Sequence, residues 1–183
     1  MTRIVGGDAG GRRLVVPRGR GTRPTSERTR EALFSTLESL HRTVSGLAFL
    51  DLYAGSGAVG LEAVSRGAIV TVLVESDASA LDALRRNVTT IAAPGVEVVA
   101  DRVERFLAAT APRTYDVVFI DPPYEHPVDD VLALLAGNDW LGPDATMVVE
   151  RATKSDPVQW PAGWAEDRAR RYGDSTLWYG RRP

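Results

Sequence analysis

Apolar positions along the chain follow two alternating spacings. Five short runs of mainly β-branched and other apolar residues are typical of buried strands, and the segments between them carry apolar residues at helical spacing. Strands are predicted at 47–53, 68–76, 96–100, 115–120 and 145–151, and helices at 57–66, 77–92, 102–110 and 128–136. Near-continuous apolar strands that alternate with helices form parallel sheets covered on both faces, so the pattern predicts an α/β fold.

The two ends of the chain depart from this alternation. Residues 3–7 and 12–17 predict two short strands around a glycine-rich turn, and a basic loop follows them. The next segment, 25–40, predicts a helix capped by Thr25 or Ser26, with an apolar face formed by Leu33, Phe34, Leu37 and Leu40. Residues 165–182 predict an antiparallel hairpin. We therefore expect one domain over 25–183 and an N-terminal extension over 1–24.

Charge is distributed unevenly between this extension and the rest of the chain. Residues 1–30 contain eight arginines and two acidic residues, whereas the remainder contains 14 basic and 22 acidic residues. A basic arm on an acidic body is a common arrangement in proteins that bind nucleic acid, and arginine makes forked contacts to phosphate. A solvated tail is the alternative. The residues expected to contact RNA are Arg3, Arg12, Arg13, Arg18, Arg20 and Arg23.

The remaining composition mainly excludes classes of site. The chain has no cysteine, which excludes disulfides, thiolate metal sites and a cysteine nucleophile, and weakly favours the cytoplasm. Two histidines are too few for a histidine-based metal cluster, so we expect no metal, and we expect His41 at the surface. The N-terminus shows no secretory signal and no apolar run approaches membrane-spanning length. We expect a monomer that does not associate with membranes.

A glycine-rich loop follows the strand predicted at 47–53. Residues 55–60, "GSGAVG", fit the dinucleotide-binding fingerprint, but Asp51 stands four residues before the first glycine. Asp51 would repel a pyrophosphate, whereas S-adenosylmethionine offers an ammonium group for Asp51 and a carboxylate for the loop amides. The combination favours S-adenosylmethionine over NAD, with a plain glycine turn as the structural alternative.

Acidic residues also end the next two predicted strands. Glu75 could accept hydrogen bonds from both ribose hydroxyls, although an exposed strand-end acid would look the same in the sequence. Asp101 could accept from the adenine amino group, cap the following helix, or do both. The residues expected to hold the cofactor are Asp51, Tyr53, Gly55, Ser56, Gly57, Glu75, Asp101 and Arg102.

The tetrapeptide Asp121-Pro122-Pro123-Tyr124 ends the strand predicted at 115–120 and supplies the expected catalytic residues. Two prolines stop a strand and fix its backbone, so the Asp121 carboxylate and the Pro122 carbonyl could hold the two hydrogens of an exocyclic amine. Tyr124 could stack on the base that carries the amine. A strand-terminating turn with a buried tyrosine is the alternative.

Together these residues resemble the bacterial 16S ribosomal RNA (guanine-N2)-methyltransferases of the RsmD type. The resemblance covers nearly the whole chain, from "RIVGGDAGGRRL" through "TRPTSERTREALFSTL", "FLDLYAGSGAVGLEA" and "VESD" to "DVVFIDPPY". Other amino-methyltransferases share the glycine loop and the proline pair, whereas "RPTSERTREALF" is characteristic of this group.

The resemblance implies a Rossmann-like methyltransferase with a seven-stranded, mostly parallel sheet that ends in an antiparallel hairpin. It implies S-adenosylmethionine as methyl donor and one guanine of 16S rRNA as target, within the small ribosomal subunit or an assembly intermediate. By position, the residues named above would hold the cofactor and the target base, and the N-terminal arginines would bind RNA.

Three other functions remain open from the sequence. The same tetrapeptide could serve a DNA or RNA adenine-N6 methyltransferase, although the chain leaves little room for a DNA-recognition domain. An NAD-dependent oxidoreductase is disfavoured by Asp51 and by the lack of a clear hydride-transfer constellation. An RNA-binding protein with an inactive methyltransferase fold is the third alternative.

Overall fold

The structure is a computed structural model that describes residues 2–17, 25–123 and 126–183. A small antiparallel sheet opens the chain and consists of β1 (Thr2–Arg3) and β2 (Arg13–Leu14). The seven strands of the main sheet are β3 (Ala48–Leu52), β4 (Val70–Glu75), β5 (Val96–Ala100), β6 (Tyr115–Ile120), β7 (Leu141–Ala152), β8 (Ala165–Tyr172) and β9 (Ser175–Arg181). The helices are α1 (Glu27–His41), α2 (Ala58–Ser65), α3 (Ala78–Ile91), α4 (Val103–Leu107) and α5 (Asp129–Gly137).

The order of the strands in the main sheet is β5-β4-β3-β6-β7-β9-β8. The strands β3 to β7 are parallel, and β9 is antiparallel to both of its neighbours. The chain moves outward from β3 to β5 and then returns to place β6 on the other side of β3. This reversal is a topological switch point, where open α/β sheets bind ligands beyond the carboxyl ends of their strands. The predicted Rossmann-like fold is confirmed, including both hairpins.

Apolar residues on both faces of the sheet form the core. On one face, α1 and α2 pack their apolar side chains, including the fully buried Phe34 and Leu37, against Phe49 and Phe119. On the other face, α4 and α5 cover alternate residues of the same strands, including Leu50 and Ile120. Each fully buried leucine or phenylalanine stabilises the fold by about 2 kcal/mol, so this packing fixes the relative positions of the strand ends.

Buried polar side chains attach the N-terminal extension to the main domain. Glu62, an acid in the otherwise apolar helix α2, is fully buried and accepts hydrogen bonds from the Val5 and Gly6 N–H groups at 2.7 and 2.8 Å. Asn87 of α3 is also fully buried and bonds both the N–H and the carbonyl of Val15, at 2.7 and 2.8 Å. These contacts satisfy backbone groups that would otherwise be buried without partners.

Several predicted boundaries and one predicted environment differ from the structure. The N-terminal strands are shorter than predicted, because β1 ends at Arg3 and β2 at Leu14. Strand β7 begins four residues early because Leu141 pairs with Tyr115 across an irregularity in the register. Helix α4 ends at Leu107, whose carbonyl accepts side-chain hydrogen bonds from residues 138 and 140. The prediction of a surface position for His41 is wrong: it is half-buried, its Nε2 lies 2.9 Å from the buried Thr146 hydroxyl, and burial lowers its pKa.

Candidate active site at the switch point of the sheet

Acidic residues lie at or next to the carboxyl ends of all five parallel strands. Their parallel pairing places these ends along the same edge of the sheet. The acids are Asp51 on β3, Glu75 on β4, Asp101 after β5, Asp121 after β6 and Glu150 on β7. Such an edge is rich in hydrogen-bond acceptors and suits a ligand with several donors or positive charge.

Asp51 is the most buried of these acids, with 2% of its surface exposed. Its Oδ2 atom accepts a hydrogen bond of 2.9 Å from the Gly60 N–H in the first turn of α2. Burial raises the pKa of Asp51 to about 7, the hydrogen bond from Gly60 opposes that rise, and the nearby charge of Glu75 adds to it. Near neutral pH this carboxyl is poised to ionise when a cation arrives.

The glycine loop between β3 and α2 needs its glycines for two different reasons. Gly57, with φ of 78°, is the N-cap of α2, and a Cβ atom there would lie 2.3 Å from Leu84 Cδ1. Gly55 also has a positive φ, 57°, but nothing lies within 4 Å of the position of its Cβ. Gly57 is therefore favoured by its positive φ and by its close packing against Leu84. Gly55 is favoured by its positive φ alone, and it faces open space at the strand ends.

The next two acids contact the backbone of the loops that they border. Glu75 accepts from Gly55 N–H at 2.8 Å through Oε2, and through Oε1 from the N–H groups of residues 76 and 77. Asp101 accepts from Arg102 N–H at 2.8 Å and lies 3.4 Å from Arg105 Nε. The N-cap of α4 is Arg102, so the expectation that Asp101 could cap this helix is wrong.

Tyr53 links the end of β3 to α4. Its hydroxyl donates to Glu104 Oε1 at 2.9 Å, and His126 Nε2 lies 2.9 Å from the same oxygen. Burial and this acceptor raise the pKa of Tyr53. Burial opposes ionisation of Glu104, but hydrogen bonds from its own N–H, Tyr53 and His126 outweigh burial and lower its pKa. These two hydrogen bonds to Glu104 fix the wall of the site that lies between the glycine loop and the residues after 125.

Asp121 and Pro122 extend from β6, the immediate neighbour of β3. The Asp121 N–H points to the Leu52 carbonyl at 3.4 Å, which places the turn beside the start of the glycine loop. Burial, followed by the charges of Glu150 and Asp51, raises the pKa of Asp121 well above its ordinary value. Among the described residues no donor is hydrogen-bonded to the Asp121 carboxylate or the Pro122 carbonyl. Pro123 is exposed, and Tyr124 lies outside the described residues.

Glu150 belongs to this site although the sequence patterns above did not single it out. Its two carboxylate oxygens accept hydrogen bonds from two hydroxyls, Thr25 Oγ1 at 2.7 Å and Ser175 Oγ at 2.5 Å. A signal was present, because Glu150 ends an apolar strand in the same way as Asp51 and Glu75. The partner Thr25 lies 125 residues away in the chain, so its contact could not be predicted.

The arginines expected to bind RNA occupy different environments. Arg3 pairs with Glu27 at 3.1 Å, and Arg12 donates to the carbonyls of residues 90 and 91 at the end of α3. Arg13 is exposed, and no ion pair or hydrogen bond joins its side chain to another described residue. Arg18, Arg20 and Arg23 lie outside the described residues.

Comparison with known proteins gives the family. The family model described as "Conserved hypothetical protein 95" matches residues 2–181. The chain belongs to this family. It is 37% identical over 167 residues to ribosomal RNA small subunit methyltransferase D of Escherichia coli, covering 91% of this chain and 82% of that protein. The predicted resemblance to the RsmD type is thereby confirmed.

Solved structures agree with the fold of the family. A hypothetical protein of Thermus thermophilus is 35% identical, with a TM-score of 0.81 over 98% of each chain. MtNAS in complex with S-adenosylmethionine shares the fold alone, at 13% identity and a TM-score of 0.64 over 84% of this chain and 61% of that one. Within residues 2–17, 25–123 and 126–183, no helix has the length and apolar character to cross a bilayer.

Proposed function

We propose that this protein transfers a methyl group from S-adenosylmethionine to the exocyclic N2 amine of one guanine in 16S rRNA. The observation that carries the proposal is the pairing of β3 with β6, which brings the buried Asp51 beside the Asp-Pro-Pro turn. Family membership and the E. coli relative support methyl transfer to small-subunit rRNA. The substrate is the small subunit or an assembly intermediate, and the enzyme acts as a cytoplasmic monomer.

The cofactor fits the ends of β3, β4 and β5 by charge. When bound, it supplies an electrophilic methyl group on a positively charged sulfur. Asp51 faces the cofactor's ammonium group and ionises there, because an adjacent cation lowers the pKa of a carboxyl. Gly55, Ser56 and Gly57 allow close approach of the backbone, and Tyr53 lines the wall of the site.

The other two strand-end acids orient the rest of the cofactor. Glu75 accepts a hydrogen bond from a ribose hydroxyl through Oε2, the oxygen that receives a single backbone N–H. Asp101 accepts from the adenine amino group, and the Arg102 N–H donates to the ring. These assignments place the cofactor along the edge on the β4 and β5 side of the switch point, which leaves the β6 side for the target base.

The Asp-Pro-Pro turn holds the target amine. The Asp121 carboxylate and the Pro122 carbonyl accept its two hydrogens, Pro123 keeps the turn rigid, and Tyr124 stacks on the base. Holding both hydrogens would direct the nitrogen lone pair at the methyl group that the bound cofactor would supply. Asp121 stabilises the positive charge that develops on nitrogen and accepts its proton, since a raised pKa makes a carboxylate a better base.

The N-terminal extension, residues 1–24, contacts the backbone of the RNA. The acidic main domain contributes little to phosphate binding, so the arginines at positions 3, 12, 13, 18, 20 and 23 supply most of the electrostatic attraction. Arg13 differs from Arg3 and Arg12 in that its exposed side chain has no ion pair or hydrogen bond to another described residue. A target base within a stack must be extruded before it can reach the Asp-Pro-Pro turn.

The experiment that tests this function is methyl transfer to small subunits that lack the modification, followed by digestion to nucleosides. We expect N2-methylguanosine from the wild type, and a loss of about 100-fold or more in kcat for Asp121→Ala with nearly unchanged cofactor affinity. Asp82→Ala, which alters an exposed acid on α3, is the control. N6-methyladenosine would refute the guanine assignment, and the absence of any transfer by the wild type would favour an inactive RNA-binding protein.

A further inference from the structure

Glu150 lies beside the proposed target-base site. It follows Val149, which pairs with Ile120 of β6, and Asp121 follows Ile120 in the same way. Side chains at matching positions of adjacent parallel strands point to the same face, so the two carboxylates are neighbours. The charge of Glu150 is in fact the second cause, after burial, of the raised pKa of Asp121. Two neighbouring carboxylates repel each other when both are ionised, so hydrogen-bond donors placed between them would stabilise both.

Glu150 is held in a fixed orientation without a cation. The hydroxyl of Thr25, just before α1, bonds one oxygen, and the hydroxyl of Ser175, at the start of β9, bonds the other. No basic side chain among the described residues lies within 4.0 Å of this carboxylate. A carboxylate can accept about four hydrogen bonds, so two acceptor positions remain beyond these hydroxyls. The arrangement is typical of an acceptor oriented toward a ligand.

Guanine supplies the donors that such a pair of carboxylates needs. Its Watson–Crick edge presents N1–H next to the two N2 hydrogens, whereas the N1 atom of adenine is an acceptor that a carboxylate repels. We propose that Glu150 accepts the N1–H of the target guanine and is the residue that makes the enzyme specific for guanine. This inference rests on the proposed function and adds to it, because Asp121 and Pro122 alone would hold the amine of adenine equally well.

The test replaces the N1–H donor on the substrate and, separately, the carboxylate acceptor on the protein. Once the methylated nucleotide is mapped, small-subunit RNA is assembled by ligation with either guanine or 2,6-diaminopurine at that position. Diaminopurine keeps the N2 amine but has an acceptor at N1. We expect the wild type to use diaminopurine at least about 100-fold less efficiently in kcat/KM, because a site built to bind an N–H rejects an analogue without it.

The variant Glu150→Gln replaces one carboxylate oxygen with an amide that donates. We expect its kcat/KM for guanine RNA to fall at least about 10-fold and its preference for guanine over diaminopurine to shrink by at least about 10-fold, since the amide can donate to the N1 acceptor. Glu166→Gln, at an exposed position of β8, should change neither value. Cofactor affinity should be unchanged in both variants.

The outcomes separate this inference from the proposed function. Equal use of guanine and diaminopurine by the wild type, or an unchanged preference in Glu150→Gln, would overturn the role of Glu150 while leaving methyl transfer to guanine intact. Failure of the wild type to methylate guanine RNA would instead refute the proposed function. If Glu150→Gln does not fold, Ser175→Ala loosens the same carboxylate, and we expect a smaller loss of guanine preference; no loss would overturn the inference.

Discussion

The buried Asp51 carboxyl makes the stability of this protein depend on pH in a way that one substitution can isolate. A pKa raised from 3.8 to about 7 means that the folded protein disfavours the ionised form by about 4 kcal/mol relative to the unfolded chain. The folded state therefore holds the proton more tightly, and the free energy of unfolding decreases as pH rises from about 4 through about 7. Between pH 5 and pH 8 the Asp51 contribution is a loss of about 3 kcal/mol.

Asp51→Asn removes this titration and keeps the shape of the side chain. The amide oxygen can still accept the hydrogen bond from Gly60, and no charge is buried at any pH. In urea unfolding at pH 5 and pH 8, we expect the wild type to lose about 3 kcal/mol more stability than the variant over this interval. Other titrating groups are common to both proteins and largely cancel. Equal losses in the two proteins would refute the assignment of a raised pKa to Asp51.

The same substitution separates the stability of the apoprotein from cofactor binding. At pH 6 most of the wild-type Asp51 is protonated, so binding of the ammonium group should release up to one proton, which calorimetry in buffers of different ionisation enthalpy can count. We expect Asp51→Asn to bind S-adenosylmethionine more weakly and to lose this proton release. Tight binding by the variant with the proton release unchanged would show that another group meets the ammonium.

Three further predictions concern the loop, the anchor and the extension. Gly55→Ala and Gly46→Ala both add a Cβ in open space at positive φ, so each should lower the free energy of unfolding by about 1 kcal/mol in thermal unfolding. Only Gly55→Ala should also weaken cofactor binding in titration calorimetry. Glu62→Ala should lower the free energy of urea unfolding by about 3–5 kcal/mol, because it leaves the buried N–H groups of Val5 and Gly6 without their acceptor and the buried Arg30 without its counter-ion. Arg13→Gln should weaken RNA binding and reduce its salt dependence by about one counterion, whereas Arg12→Gln should do the same and also lower the melting temperature, because it removes hydrogen bonds to α3.

Much of the fold could be predicted because its determinants are local. Near-continuous apolar runs set the strands, and the spacing of Leu33, Phe34 and Leu37 set the buried face of α1. Strand ends of a parallel sheet share one edge, so the acids at Asp51 and Asp121 could be expected to face one site before any coordinates were known. The order of the strands, and with it the pairing of β3 with β6, is not determined by local pattern; the family resemblance implied only a seven-stranded sheet that ends in an antiparallel hairpin.

Long-range polar contacts account for what the sequence did not reveal. Glu62 stands in an apolar helix and looks like a surface residue, but it is buried against the backbone of residues 5 and 6. His41 looks exposed until β7 places Thr146 beside it. Such contacts join residues that are 50 or more positions apart in the chain, and no periodicity or motif encodes them. Glu150 is different, because the rule of the strand-end acid applied to it and would have found it.

The contacts of the extension also connect it to both halves of the site. Asn87 bonds Val15 and, through the same Nδ2 atom, the carbonyl of Ser56 in the glycine loop at 2.8 Å. On the other side, the described chain resumes at Thr25, whose hydroxyl bonds Glu150. Val15 and Thr25, on either side of the arginine-rich segment 18–24 in the sequence, are therefore attached to the glycine loop, through Asn87, and to Glu150. Because Asn87 is bonded to both the extension and the glycine loop, we expect Asn87→Ala to weaken RNA binding at the extension and cofactor binding at the loop together.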